Sequence, residues 1–185
     1  MKNYYVIFTS CLIIFCLFSI NIFGQKTWTG NINNDWTNAD NWNPTGIPTS
    51  QDEVTIPSTA NLPIIPNDTT RLKSLEIQSG VTLTIPTDAV LLLNEATNDA
   101  LTIHGQLTNL GKLIIGNTIA PQGNAITNKG TFINGADICS GFLYIASNND
   151  VVNTDSFINN GTLNFQSTGT LSMTFNNGQI TLPII

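Results

Sequence analysis

Three groups of residues could carry chemistry in this 185-residue chain: one histidine, three cysteines and 12 carboxylates. His104 follows Leu101-Thr102-Ile103, where a strand gives way to a corner. A zinc site draws several His or Cys ligands at short spacings. Cys11 and Cys16 fall in an apolar leader, which leaves His104 and Cys139 alone in the remainder. A Ser-His-Asp arrangement would come with a strained nucleophile elbow, and no such motif accompanies His104. It is expected to be an ordinary corner residue. Polysaccharide-cleaving sites need clustered carboxylates, whereas the acids here are dispersed and only Asp52-Glu53 are adjacent. Neighbours on a strand point to opposite faces, so that pair is not a dyad. Asn148-Asn149-Asp150 and Asn153-Thr154-Asp155 gather oxygen ligands, but without the spacing of an EF-hand or a calcium-loaded repeat, and read as a solvated loop. No catalytic residue, metal or cofactor is expected.

The tryptophans are the remaining option. Trp28, Trp36 and Trp42 all fall in residues 25–68, together with five of the eight prolines. They could be a platform on which sugar rings stack, with Trp36 and Trp42 as the candidates. The competing reading makes all three an apolar cluster that covers the end of a stacked fold, because each aromatic buries a large area and terminal repeats need protection. The cap is the preferred reading.

The elements that would position these residues are strands. Val81-Thr82-Leu83-Thr84-Ile85 alternates strictly, as do Leu101-Thr102-Ile103, Leu163-Asn164-Phe165 and Leu171-Ser172-Met173-Thr174-Phe175. A period of two places aliphatics on one face and threonines on the other. The corners between strands rhyme: Asn109-Leu110-Gly111-Lys112-Leu113, Asn128-Lys129-Gly130-Thr131-Phe132 and Asn159-Asn160-Gly161-Thr162-Leu163. Asn and Gly tolerate positive φ, the expected reason for their place at corners. The corners recur at about 17–25 residues, the length of one solenoid turn. The wider gap from Gly130 to Gly161 implies an excursion near Ser147 to Asp155. The chain is thus expected to be all-β: a short parallel β-helix of about five to seven turns over residues 69–185, behind a Trp-rich cap at 25–68. A β-sandwich of hairpins is the alternative.

Composition agrees and narrows the partners. Charged residues are 10% of the chain, while Asn and Thr number 25 each, a poor recipe for helices and too apolar for disorder. Residues 1–24 read as a secretory signal peptide, with Lys2 ahead of an apolar run whose uninterrupted core, Cys11 to Phe18, suits an h-region better than a membrane span. Cleavage before Gln25 would leave five cations against 12 acids, with one cysteine and so no internal disulfide. Nucleic acid, which needs a basic face, is excluded as a partner, and so is stable membrane insertion after cleavage. The expected location is the cell surface or the medium.

Trp28-Thr29-Gly30, Trp36, Asn41-Trp42, Pro48 and Asp52-Glu53-Val54-Thr55-Ile56-Pro57, followed by turns such as Leu101-Thr102-Ile103-His104-Gly105, resemble the front end of secreted bacterial β-solenoid proteins. The resemblance implies a right-handed parallel β-helix of adhesin-like character, of the kind exported as type IX secretion cargo. It implies a non-catalytic structural or adhesive scaffold whose partners are extracellular polysaccharide or cell-surface components. The alternative is a carbohydrate-binding module using the tryptophans. Such proteins usually run longer and end in a sorting domain. Ending at Leu182-Pro183-Ile184-Ile185, this chain is expected to be either a small member or part of a longer surface protein.

Overall fold

The computed structural model describes residues 24–116, 123–136, 140–146, 149–165 and 173–175. The leader and Cys139 lie outside the described residues. The first strands are β1 (Gln25–Trp28), β2 (Trp42–Asn43), β3 (Glu53–Ile56) and β4 (Thr69–Leu72). Then follow β5 (Ser74–Ile77), β6 (Thr82–Ile85), β7 (Val90–Leu93), β8 (Leu101–Ile103), β9 (Gln106–Asn109) and β10 (Lys112–Ile115). The series ends with β11 (Ile126–Asn128), β12 (Thr131–Asn134), β13 (Phe142–Ile145), β14 (Val151–Asn153), β15 (Ser156–Asn159), β16 (Thr162–Phe165) and β17 (Met173–Phe175). One 3₁₀ turn at Ala39–Asn41 is the only helical piece among the described residues.

Alternation does what a period of two requires. In β6 the threonines are exposed while Leu83 and Ile85 are fully buried. The strands form three sheets visited in rotation. The first runs β2-β1-β3-β5-β8-β11-β14-β17, the second β6-β9-β12-β15 and the third β4-β7-β10-β13-β16. A full turn takes one strand from each, as in β8, β9, β10, so the fold is a three-sided β-solenoid of about five turns. Stacked at about 4.8 Å, these make a rod roughly 25 Å long. Every strand pairing is parallel except β1 with β2. A sandwich of hairpins would have shown the reverse, and that alternative is set aside.

The turn length falls at the upper end of the sequence-based period. Leu101, Ile126 and Val151 are register partners 25 residues apart, and Leu107, Phe132 and Phe157 keep the same interval. Asn109 and Asn159 end second-sheet strands, whereas Asn128 ends a first-sheet strand. The rhyming motif therefore marks two different corners of the same turn. Comparing unlike corners shortened one interval and lengthened the next, so the gap from Gly130 to Gly161 needs no excursion to explain it. The irregular side is the third: Leu91 to Leu113 is 22 residues and Leu113 to Leu143 is 30.

One continuous core fills the prism, from Trp28 through Leu75, Leu83, Leu91 and Leu113 to Phe132 and Phe157. Phe132 and Phe157 meet edge-to-face at 5.0 Å in adjacent turns. Each such side chain contributes about 1.5–3 kcal/mol by leaving water.

The corner asparagines belong to this interior and not to its surface. Asn109, Asn128, Asn134, Asn153 and Asn159 are all fully buried. Asn109 Nδ2 donates to Asn134 Oδ1 (2.7 Å), and Asn134 Nδ2 donates in turn to Asn159 Oδ1 (2.6 Å). Asn128 Nδ2 donates likewise to Asn153 Oδ1 (2.6 Å). Each amide also donates to a backbone carbonyl at the corner, for example Asn134 to Thr162 (3.1 Å) and Asn128 to Ser156 (2.8 Å). An amide carries both donor and acceptor, so identical residues one turn apart satisfy each other where water is excluded. The expected role in positive φ is overturned: Glu95 is the one such non-glycine residue described. Asn134→Leu, nearly isosteric, strands a donor on Asn109 and an acceptor on Asn159. It is expected to lower unfolding free energy by about 2 kcal/mol in a urea titration. Asn109→Leu should cost less, because Asn109 Oδ1 already has no partner: the residue before it in register is Ile85.

Candidate functional site

The tryptophans sit where the cap reading put them. β1 and β3 extend the first sheet beyond β5, and β2 adds a two-residue antiparallel edge. Trp28, Trp36 and Trp42 are 0–2% exposed. Trp42 meets Trp28 edge-to-face at 4.9 Å and Trp36 at 4.7 Å. Both indole N–H groups with assigned partners donate inward, Trp28 to the Asn61 carbonyl (2.7 Å) and Trp42 to the Trp36 carbonyl (2.8 Å). Asn41, also buried, accepts from the Ile32 and Asn33 backbone amides and so folds the intervening loop over the cluster. At that burial neither Trp36 nor Trp42 offers a ring face to a sugar, which corrects their candidacy as a binding platform.

The outer faces are what remains for function, and the three differ. The second sheet turns out Thr82, Thr84, Gln106, Thr108, Thr131 and Ser156, a mostly polar face interrupted by the half-buried pair Ile133 and Ile158 in its last two turns. The first sheet is acidic. Glu53, Glu76 and Asp99 line a groove of about 380 Å³ with Thr55, Ser74 and Thr102. Sequence reading treated these acids as dispersed. The turn length brings them together, since β3 and β5 pair with Thr55 opposite Glu76, and only the true register could have revealed it. As expected, Asp52 and Glu53 part company. Asp52 accepts from the Thr49 amide and hydroxyl (both 2.8 Å), while Glu53 Oε1 takes the Thr97 hydroxyl (2.5 Å) and Lys73 Nζ (3.1 Å). Asp99 accepts from the Asn124 amide (2.8 Å) and the Thr127 hydroxyl, which ties two third-to-first corners together.

Glu53 titrates below the ordinary glutamate range. The Thr97 hydroxyl is the largest cause and Lys73 adds to it, against partial desolvation that pulls upward. A depressed folded value means that its stabilisation is present above the unfolded value and is lost as pH falls through the folded one. The difference in melting temperature between wild type and Glu53→Gln should therefore be constant at neutral and alkaline pH and vanish on the acid side. The effect is small, because the pair is partly solvated.

His104 occupies the first-to-second corner, with Nε2 3.8 Å from Glu76 Oε1 and both side chains partly exposed. The loop suspected of binding calcium is divided. β14 separates residues 149–150, on the third-to-first corner, from Thr154-Asp155 on the first-to-second corner. Asn153 is committed to its buried ladder, and Asn148 lies outside the described residues.

The third sheet turns out two columns of side chains. One is Thr69, Val90, Lys112, Phe142 and Thr162; the other is Arg71, Leu92, Ile114, Tyr144 and Asn164. Arg71 and Lys112 are exposed, and Val90, Leu92, Ile114, Phe142 and Tyr144 are half-buried. The Phe142 and Tyr144 rings are nearly parallel, 12° apart with centroids at 6.4 Å. Sequence reading missed this face, although Phe142-Leu143-Tyr144-Ile145 holds its signal: aromatics on the positions that alternate away from the core.

Three parallel sheets, a capped first edge and a chemically distinct face on each side define a compact capped β-solenoid. The chain belongs to the family described as a domain of unknown function, DUF8693, whose model matches residues 27–160 and so spans both the cap and the turns behind it. No curated protein and no solved structure matches the chain.

Proposed function

We propose that this protein is a non-catalytic, exported β-solenoid that serves as a structural or adhesin-like scaffold at the cell surface or in the medium. The observation that carries the reading is the in-register stack itself. Its interior is committed to packing and to Asn ladders, while its outer faces present fixed rows of side chains at strand spacing. Such solenoids offer extended, preorganised surfaces for contact with partners. The Lys2-led apolar leader supports export, and its removal would leave one cysteine, so that the exported fold would depend on stacking without an internal disulfide. Extracellular polysaccharide or cell-surface components are the partners proposed. The test is twofold: fractionate expressing cells for the protein, then incubate purified protein with polysaccharides and assay for new chain ends. Recovery outside the cytoplasm with no turnover is expected. Turnover, or retention in the cytoplasm, sinks the reading.

A further inference from the structure

We infer that the outer face of the third sheet is a binding strip for an acidic polysaccharide, centred on Phe142, Tyr144 and Lys112. The inference deepens the adhesive reading above and rests on it for the compartment in which such a ligand is met.

The face departs from what a wetted sheet needs. Val90, Leu92, Ile114, Phe142 and Tyr144 all lie on outward positions, where they add nothing to the core. Lys112 is the register partner of Phe142, and Ile114 that of Tyr144. A cation thus stands beside one ring and an aliphatic chain beside the other. Next to them a groove of about 230 Å³ opens along the corner, lined in part by Thr87, Lys112, Ser140, Phe142 and Thr162.

Size selects the class of occupant. Five strands at about 4.8 Å and four residues at about 3.3 Å make a face of roughly 300 Å². A stable protein–protein interface buries about 800 Å² on each partner. A second copy or a globular protein is therefore poorly served, and a slender linear chain fits. An extended peptide would lay its backbone N–H and C=O groups against apolar side chains without partners, since this is a sheet face and not an edge. A sugar ring has no such difficulty: its C–H faces pack on aromatic rings while its hydroxyl rim stays in water or meets the polar groove.

Charge selects the kind of sugar. The outward residues of the third sheet include Arg71 and Lys112 and no acid, in a chain whose net charge is −6. Asp68, Asp88 and Glu95 flank the earlier turns and Asp150 lies on the corner after β13, whereas the outward positions of β10 and β13 themselves carry Lys112 and no acid. A uronate carboxylate over Phe142 would reach Lys112 and make a charge-assisted hydrogen bond.

Affinity electrophoresis of the purified protein in gels containing polygalacturonate, neutral β-glucan or polyglutamate tests this. Retardation by polygalacturonate alone is expected. Lys112→Ala should weaken it about tenfold, the loss of one charged hydrogen bond, and Phe142→Ala by several-fold or more. Both variants should melt like wild type, and Thr84→Ala on the second sheet should bind unchanged. Absence of retardation, equal retardation by β-glucan, or undiminished binding by folded Phe142→Ala and Lys112→Ala overturns the inference. Equal retardation by polyglutamate also overturns it, in favour of an acidic peptide. Release of reducing ends from polygalacturonate bound in this way would instead overturn the scaffold reading and leave the strip standing.

Discussion

Trp42→Ala is expected to remove about 3–5 kcal/mol of stability, the usual cost of emptying a large aromatic site in a core. Trp42 is the middle member of its cluster, in edge-to-face contact with both Trp28 and Trp36 and bonded through its indole N–H to the Trp36 carbonyl. Truncation empties the space between two rings and leaves a buried carbonyl unpaired. It also loosens β2, whose pairing with β1 rests on Thr27–Asn43 and Trp28–Trp42 alone. The edge strand it covers then becomes a template for a second chain, because an uncovered edge presents a row of unpaired backbone groups. Urea denaturation should show the lost stability, and size-exclusion chromatography a concentration-dependent larger species. Trp42→Phe should recover part of the stability and none of the indole hydrogen bond. If Trp42→Ala keeps its wild-type midpoint, the cluster is not the cap.

Period two was enough to find the strands, because one face of each is buried and a one-residue slip would expose every aliphatic. The tryptophans were legible for a similar reason: three large indoles among Pro and Gly, ahead of a repetitive region, have few places to go except its end. What stayed hidden depends on register over tens of residues. Asn109 and Asn128 are the same letters in the same local pattern, yet they stand at different corners, in different ladders. No local rule tells one corner from the other, so the corners bracketed the turn at about 17–25 residues without fixing its register. Every feature that depends on the register was lost with it. Glu53, Glu76 and Asp99 share a groove, and Phe142 stands beside Lys112, only once residues 20 to 30 apart are known to be neighbours. The sites of a solenoid are read across its turns and not along its chain.

The corner glycines make the same point energetically, and Gly130→Ala is the sharpest test of it. Gly105, Gly111, Gly130 and Gly161 are not among the positive-φ glycines, so conformational freedom does not explain them. They are required by the closeness of the turns. A Cβ on Gly130 would collide with the Gly105 carbonyl oxygen and come within 2.8 Å of the His104 carbonyl carbon and oxygen. These are backbone atoms, and the backbone there is pinned from both sides. Thr131 N–H donates to the Gly105 carbonyl (2.9 Å), Lys129 N–H to the Ile103 carbonyl (2.7 Å), and Ser156 N–H to the Gly130 carbonyl (3.1 Å). Relief therefore means prising apart neighbouring turns along two sheets. The expected loss is about 3 kcal/mol or more, at the upper end of overpacking costs. Gly80→Ala provides the contrast. Gly80 has φ +81°, and the nearest atom to an added Cβ is Ser58 Oγ at 3.6 Å. Its cost is the conformational penalty alone, about 1–2 kcal/mol. Parallel urea titrations should place Gly130→Ala well below Gly80→Ala. Equal losses would mean that the corner glycines serve backbone freedom after all; the larger loss at Gly130 would mean that the solenoid selects glycine for the space between its turns.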